Sequence, residues 1–162
     1  AYTFARSNEK FLHPGQSADI FKNGVKVGYV GMLHPLTAKA LGFKQHVGVF
    51  ELLRSAVEKR VVPVYHPISK FPSVRRDFAF VIDNAVPVAS LTALIKSVGG
   101  AIVQDVKIFD VFEDESLGDK RSVALGVIAQ DTEHTLEDAQ IDELSSKIVE
   151  EAKNKFGAVL RS

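Results

Sequence analysis

Two residues in this chain have the types and spacing for molecular recognition: Asp110 and Phe112, a carboxylate and an aromatic ring two positions apart at the end of the run Ile102 to Phe112. In an extended segment that spacing places both on one face. A carboxylate is rarely buried without a partner, so this face is expected to be the open one, with Phe112 exposed beside Asp110. An ionised carboxylate only accepts hydrogen bonds, and a ring stacks. Together they suit one splayed nucleobase, guanine in particular, whose Watson–Crick edge offers two donors. Ala79, on a neighbouring strand, would keep the floor low enough for a base to lie flat. Lys70, Arg75, Arg76, Lys107, Arg121 and Arg161 could reach phosphates around it. Pattern alone leaves a more ordinary arrangement open, with Phe112 folded against the following loop and Asp110 capping a turn.

No other constellation points to chemistry. The chain has no cysteine, which removes disulfides, thiolate metal sites and Cys nucleophiles together. His13, His34 and His66 each precede a proline, but their intervals are irregular and no HExxH accompanies them, so turn or hydrogen-bonding roles are expected rather than a metal site. Gly28-Tyr-Val-Gly31 is not GxGxxG, and there is no Gly-x-Ser-x-Gly elbow, P-loop or kinase set. No catalytic residue and no cofactor site is assigned.

The composition sets the frame. At 162 residues with 46% hydrophobic, the chain can bury one ordinary core or two small ones. Lys and Arg number 20 and Asp and Glu 20, so no global field draws in nucleic acid and any RNA site is a local patch. No apolar run reaches membrane-spanning length and no signal peptide is evident, which reads as a cytoplasmic protein. Beginning at Ala1 and entering patterned sequence at once, the chain reads as a fragment of something longer.

Asp110 and Phe112 must be positioned by the second half. Pro63, Pro67 and Pro72 hold a connector extended from about Val61, which places a domain boundary there, dividing 1–62 from 63–162. A strand follows from about Val74 to Ile82, with Phe78, Phe80 and Ile82 facing the core and Arg75, Asp77, Ala79 and Val81 facing away. Leu91, Leu94, Ile95 and Val98 make one helical stripe stopped by Gly99-Gly100. Ile102 to Phe112 is the second strand, with Phe109 and Val111 on the face opposite Asp110. Asp114 to Lys120 is a polar loop, and Ser122 to Ala129 the third strand. Thr135 is the expected N-cap of a second helix whose stripe is Ile141, Leu144, Ile148, Ala152 and Phe156, closed by Gly157. Ala158 to Arg161 adds an edge strand. Strand, helix, strand, strand, helix, strand is the ferredoxin-like βαββαβ order, an antiparallel sheet with both helices on one face. The predicted class is α+β.

The first half reads as small, mostly antiparallel β structure with one short helix. Asn23-Gly24 marks a hairpin between Ser17 to Lys22 and Val25 to Leu33. Gly28 and Gly31 inside the second of these strands mark close backbone approach. Pro35 to Leu41 is a short helix ended by Gly42, and Val47 to Leu53 returns as a strand.

Phe71-Pro72, Arg76-Asp77-Phe78-Ala79, Phe109-Asp110-Val111-Phe112, Lys120-Arg121-Ser122, Gln130-Asp131, Thr135-Leu136 and Leu160-Arg161 closely resemble the ferredoxin-fold anticodon-binding domain of the bacterial phenylalanyl-tRNA synthetase beta subunit family. Phe11 to Ala18, Val27 to Gly31 and Leu33-His34-Pro35 resemble the end of that family's catalytic-like module. The resemblance implies tRNA-Phe as partner, an alpha subunit carrying the aminoacylation site in an α2β2 enzyme, and ATP and magnesium for the whole enzyme. It also implies no catalysis by this piece alone. Carried over by motif, Ala79, Asp110 and Phe112 would hold the anticodon's first base, a guanine. Phe112 stands where tyrosine is common: stacking survives, and any contribution of the phenol hydroxyl is lost.

Two rival readings remain from other classes. One is a ferredoxin-like regulatory module that dimerises and binds a small metabolite, although Asp83-Asn84-Ala85-Val86-Pro87 follows the first strand where such a module would favour a glycine-containing loop. The other is a structural fragment whose strands from Val25 to Phe50 form a subunit contact.

Overall fold

Asn23 and Gly24 have φ of 53° and 80° in the computed structural model, the left-handed pair that a two-residue hairpin turn needs. They join β2 (Leu12–Lys22) to β3 (Val25–Leu33) with Lys22 opposite Val25. The structure describes residues 2–58, 62–65 and 68–161; Val61, His66 and Pro67 of the expected connector lie outside them. The chain divides into two compact units, Ala1–Tyr65 and His66–Ser162.

In the first unit, β1 (Tyr2–Arg6) and β4 (Gly48–Leu52) complete an antiparallel sheet of order β1-β2-β3-β4. The sequence pattern did not announce β1. All five of its residues are exposed, so it is held by its ladder to β2 and not by a buried face. β2 starts earlier than the expected Ser17, running through Pro14-Gly15 with a register break between Leu12 and Ser17, which absorbs a proline that cannot donate to the ladder. A Cβ on Gly31 would lie 2.7 Å from the Ser17 Cβ, and one on Gly28 would overlap the Glu51 carbonyl. Close approach explains both glycines. His34 caps α1 (Pro35–Ala40), its Nδ1 accepting the Leu36 N–H at 3.2 Å, and His13 Nδ1 accepts the Gly15 N–H at 3.1 Å. Both histidines thus organise turns. A short α2 (Arg54–Glu58), also unforeseen, brings Ala56 against Ile20, Val27 and Leu52 in a small core.

The second unit is the ferredoxin-like fold. β5 (Val74–Asp83), β6 (Val103–Phe112), β7 (Lys120–Ala129) and β8 (Val159–Leu160) form an antiparallel sheet of order β6-β7-β5-β8. α3 (Val88–Gly99) and α4 (Asp138–Phe156) pack side by side on one face. Phe78, Phe80 and Ile82 of β5 and Val123, Leu125 and Val127 of β7 are buried against Leu91, Leu94, Ile95, Ile148 and Ala152. Alternation with a period of two on the strands meets stripes of period 3.6 on the helices. Gly100, φ 53°, ends α3, and Gly157, φ 62°, ends α4.

The start of α4 differs from the expected Thr135 cap. Leu136 is buried with Ala129 and Ile141, which pins the chain in extended form one residue further on. Glu137 is the N-cap, in a reciprocal box in which its backbone N–H donates to Gln140 Oε1 at 2.9 Å.

Candidate nucleic-acid interface

The sheet register decides what the helix-free face displays. Ala79 of β5 lies opposite Ala124 of β7, and Ala124 lies opposite Asp110 of β6. The next row on the same face runs Val81, Ser122, Phe112, and the row on the other side runs Asp77, Gly126, Lys107. Their neighbours Phe80, Val123, Leu125 and Val127 fill the core, so these three rows point away from it. Asp110 is exposed and Phe112 is 40% exposed.

The floor is made of small residues. β7 contributes Ser122, Ala124 and Gly126 at alternate positions, and β5 contributes Ala79. That pattern is visible in the sequence, where Ser122-x-Ala124-x-Gly126 alternates with Val123, Leu125 and Val127; its meaning needs the register. A flat ligand resting on Ala79 and Ala124 meets little side chain beneath it and a carboxylate at its edge.

Two guanidinium groups bracket this floor. Arg161 donates its backbone N–H to the Ala79 carbonyl at 2.8 Å, and its guanidinium carbon sits 5.0 Å from the Phe112 ring centroid. The Arg75 guanidinium carbon sits 5.4 Å from the Phe109 ring centroid, while Arg75 Nε and Nη2 donate to the Asp77 carboxylate at 2.7 and 3.3 Å. Each pair is a cation over a ring face. Beside the first pair, the Ser116 hydroxyl and N–H hold the Asp114 carboxyl below the usual carboxylate range, with a lesser contribution from the Arg161 charge.

Phe109 departs from the alternation expected of it. The ladder slips between Ile108 and Asp110, a bulge on an edge strand that leaves Phe109 without a residue opposite and re-aims its side chain. Phe109 is 55% exposed, and Val111, on the same expected face, is 46% exposed. Neither joins the core.

The structure gathers Ala79, Asp110, Phe112, Arg75, Lys107 and Arg161 on the open face and places the other sequence candidates elsewhere. Arg76 alternates with Arg75 toward the helices, where its Nη2 lies 3.6 Å from Asp142 Oδ1 of α4. Arg121, opposite the buried Ile82, donates from Nη2 to the Val86 carbonyl at 2.9 Å. Lys70 is exposed on the connector, between Ser69, whose hydroxyl donates to the Asp131 carbonyl, and Phe71, whose carbonyl accepts from Gln130. Among the described residues no group of three His, Asp or Glu side chains is disposed to hold a metal ion. No helix among them is long and apolar enough to cross a membrane.

Comparison with known proteins agrees with this architecture. Residues 69–161 match the family model described as the ferredoxin-fold anticodon binding domain, and residues 1–53 match that of the phenylalanyl tRNA synthetase beta chain CLM domain. The chain is 43% identical over 162 residues to the phenylalanine–tRNA ligase beta subunit of Idiomarina loihiensis, covering 99% of this chain and 20% of that protein. It is 45% identical over 151 residues to the same subunit of Methylococcus capsulatus, covering 93% of this chain and 19% of the relative, and 37% identical over 163 residues to that of Coxiella burnetii, covering 99% and 21%. The chain thus spans about a fifth of the length of the curated relatives it matches. With the larger model covering the whole βαββαβ unit, the chain belongs to the family of ferredoxin-fold anticodon-binding domains, joined here to a segment similar to the beta-chain CLM domain.

Proposed function

We propose that the open sheet face of this chain recognises the anticodon of tRNA-Phe, as part of a phenylalanine–tRNA ligase beta subunit. The observation that carries the reading is the row Ala79, Ala124, Asp110 with Phe112 in the next row: a bare floor, a carboxylate at its edge and a ring beside it. The first anticodon base, a guanine, lies on Ala79 and Ala124, stacks toward Phe112 and donates from its Watson–Crick edge to Asp110. Arg75, Lys107 and Arg161 supply the cations for its phosphates, with Lys70 a more distant contributor; Arg76 and Arg121, turned toward the helix side, take no part. Base contacts specify here, and phosphate contacts position.

In this reading the chain is not itself catalytic. Aminoacylation takes place on a separate alpha subunit within a cytoplasmic α2β2 enzyme, which is where ATP and magnesium act. The boundary between the CLM segment, 1–62, and the anticodon-binding domain, 63–162, falls in the proline-bearing connector.

Titration of the chain against tRNA-Phe anticodon stem-loops, with guanine or another base at the first position, tests the proposal. Asp110→Ala is expected to cost about 1 to 3 kcal/mol of binding and to erase the preference for guanine. Equal affinity of wild type and variant for both loops would sink the base-reading assignment.

A further inference from the structure

We propose that Phe109, with Arg75, forms a second nucleobase subsite on the same face, taking the nucleotide next to the guanine. The inference rests on the reading that Asp110 and Phe112 hold that guanine. Three observations lead to it. First, the bulge between Ile108 and Asp110 turns Phe109, 55% exposed, out of the core and toward Arg75 of the open face. Second, Arg75 forks onto Asp77 at 2.7 and 3.3 Å, and its guanidinium carbon lies 5.4 Å from the Phe109 centroid. Third, Gly126 is the residue that permits this. A Cβ there would lie 2.8 Å from Arg75 Nε and 2.9 Å from Asp77 Oδ1, so the guanidinium and carboxylate rest on bare backbone.

The result is a flat stack whose layers are all of the kind that bases pack against: an aromatic ring and a guanidinium plane. Arg75 covers part of the ring, and the remaining aromatic surface is open to a ligand. Phe109 and Phe112 are three residues apart along β6, which is about 10 Å of strand, well beyond the 3.4 Å spacing of bases stacked in a helix. The neighbouring base therefore lies splayed from the guanine, one base per ring. Lys107, in the row of Asp77 and Gly126, supplies a cation for the phosphate between the two nucleotides, while the Arg75 charge is met by Asp77. The mirror arrangement of Arg161 over Phe112 supports the assignment: both arginines come from the β5–β8 side, cross small residues of β7 and end on a β6 aromatic.

The test uses anticodon stem-loops carrying 2-aminopurine at the nucleotide on either side of the first anticodon position, with anisotropy of a distant dye reporting binding. A rise in emission of one of the two probes on binding wild type, as that base leaves its stacked neighbours, lost with Phe109→Leu and retained with Phe109→Tyr, is the expected result, together with a roughly five- to 150-fold weaker Kd for Phe109→Leu. Binding with no change in either probe, or a change that Phe109→Leu leaves intact, would overturn the second subsite while leaving the guanine site standing. Guanine-to-inosine replacement at the first position reads that other site separately. Loss of any preference there would remove the guanine reading, and the present proposal with it. Circular dichroism of each variant verifies the fold.

Discussion

The Arg161 guanidinium carbon lies 5.0 Å from the centroid of the Phe112 ring, on the sheet face that carries no helix. A base stacking on Phe112 must therefore share or displace Arg161. An exposed cation over a ring is worth about 0.5 to 1 kcal/mol, less than the roughly 1 to 3 kcal/mol of a stacked base. A base bound as proposed should therefore win the ring and release the guanidinium to a phosphate.

Arg161→Ala should accordingly weaken stem-loop binding most at low salt and flatten the dependence of log K on log salt by about 0.7, the share of one phosphate contact on a single strand. At high salt the variant should approach wild type, since it loses a screened contact and gains an uncovered ring. A titration series across salt concentrations measures this. An unchanged slope would place Arg161 away from the phosphates.

A second prediction concerns acid stability in the first unit. The Ser7 hydroxyl donates to Asp19 Oδ1 at 2.7 Å and Lys26 Nζ lies 2.9 Å from Oδ2, and these partners hold the Asp19 carboxyl below its usual range. Asp19 and then Glu9 push Lys26 up. Asp19 therefore adds stability that is present above the ordinary carboxylate pKa of about 3.9 and is lost as pH falls through its lower folded value. Lys26 adds stability present below about 10.4 and lost as pH rises through its higher folded value. Between these limits the contribution is flat. All three tyrosines, Tyr2, Tyr29 and Tyr65, belong to this unit and there is no tryptophan, so tyrosine emission reports its unfolding alone. Denaturant titrations by tyrosine emission should show an acid limb that Asp19→Asn flattens; an identical limb in the variant would remove Asp19 from the transition.

How far the sequence could be read follows from which forces leave a periodic trace. Phe78, Phe80 and Ile82, and the stripe from Ile141 to Ala152, were legible because burial against a core imposes periods of 2 and 3.6. The exposed β1 strand and the short α2 helix were not, since neither carries a repeated buried face. On the open face, alternation placed Ala79, Asp110 and Arg75 correctly but misassigned Phe109. A bulge breaks alternation without leaving a glycine or proline to mark it. Arg76 and Arg121 look like surface cations in sequence, and only the register against Val127 and Ile82 turns them toward the helix side.

The glycines offer the sharpest contrast between site and scaffold. Gly28 and Gly126 both sit inside strands, where replacement by alanine would ordinarily stabilise by roughly 0.5 to 1 kcal/mol. At Gly28 the new methyl meets the Glu51 backbone carbonyl and lies 3.0 Å from the Leu52 Cα, atoms fixed by the β3–β4 ladder. Neither can yield without separating the strands, so Gly28→Ala should destabilise the first unit by about 1 to 3 kcal/mol, as overpacking does. At Gly126 the methyl meets Arg75 Nε and Asp77 Oδ1, ends of side chains that are 56% and 53% exposed. These can swing into solvent at little cost, because an exposed ion pair contributes about 0 to 1 kcal/mol. Gly126→Ala should therefore leave the melting of the second unit unchanged or slightly raised, yet weaken stem-loop binding by displacing Arg75 from Phe109. Thermal melts and titrations on the two variants separate the cases. A Gly126→Ala variant that melts early would show that the Arg75–Asp77 fork belongs to the scaffold, and one that binds RNA like wild type would show that the fork takes no part in recognition.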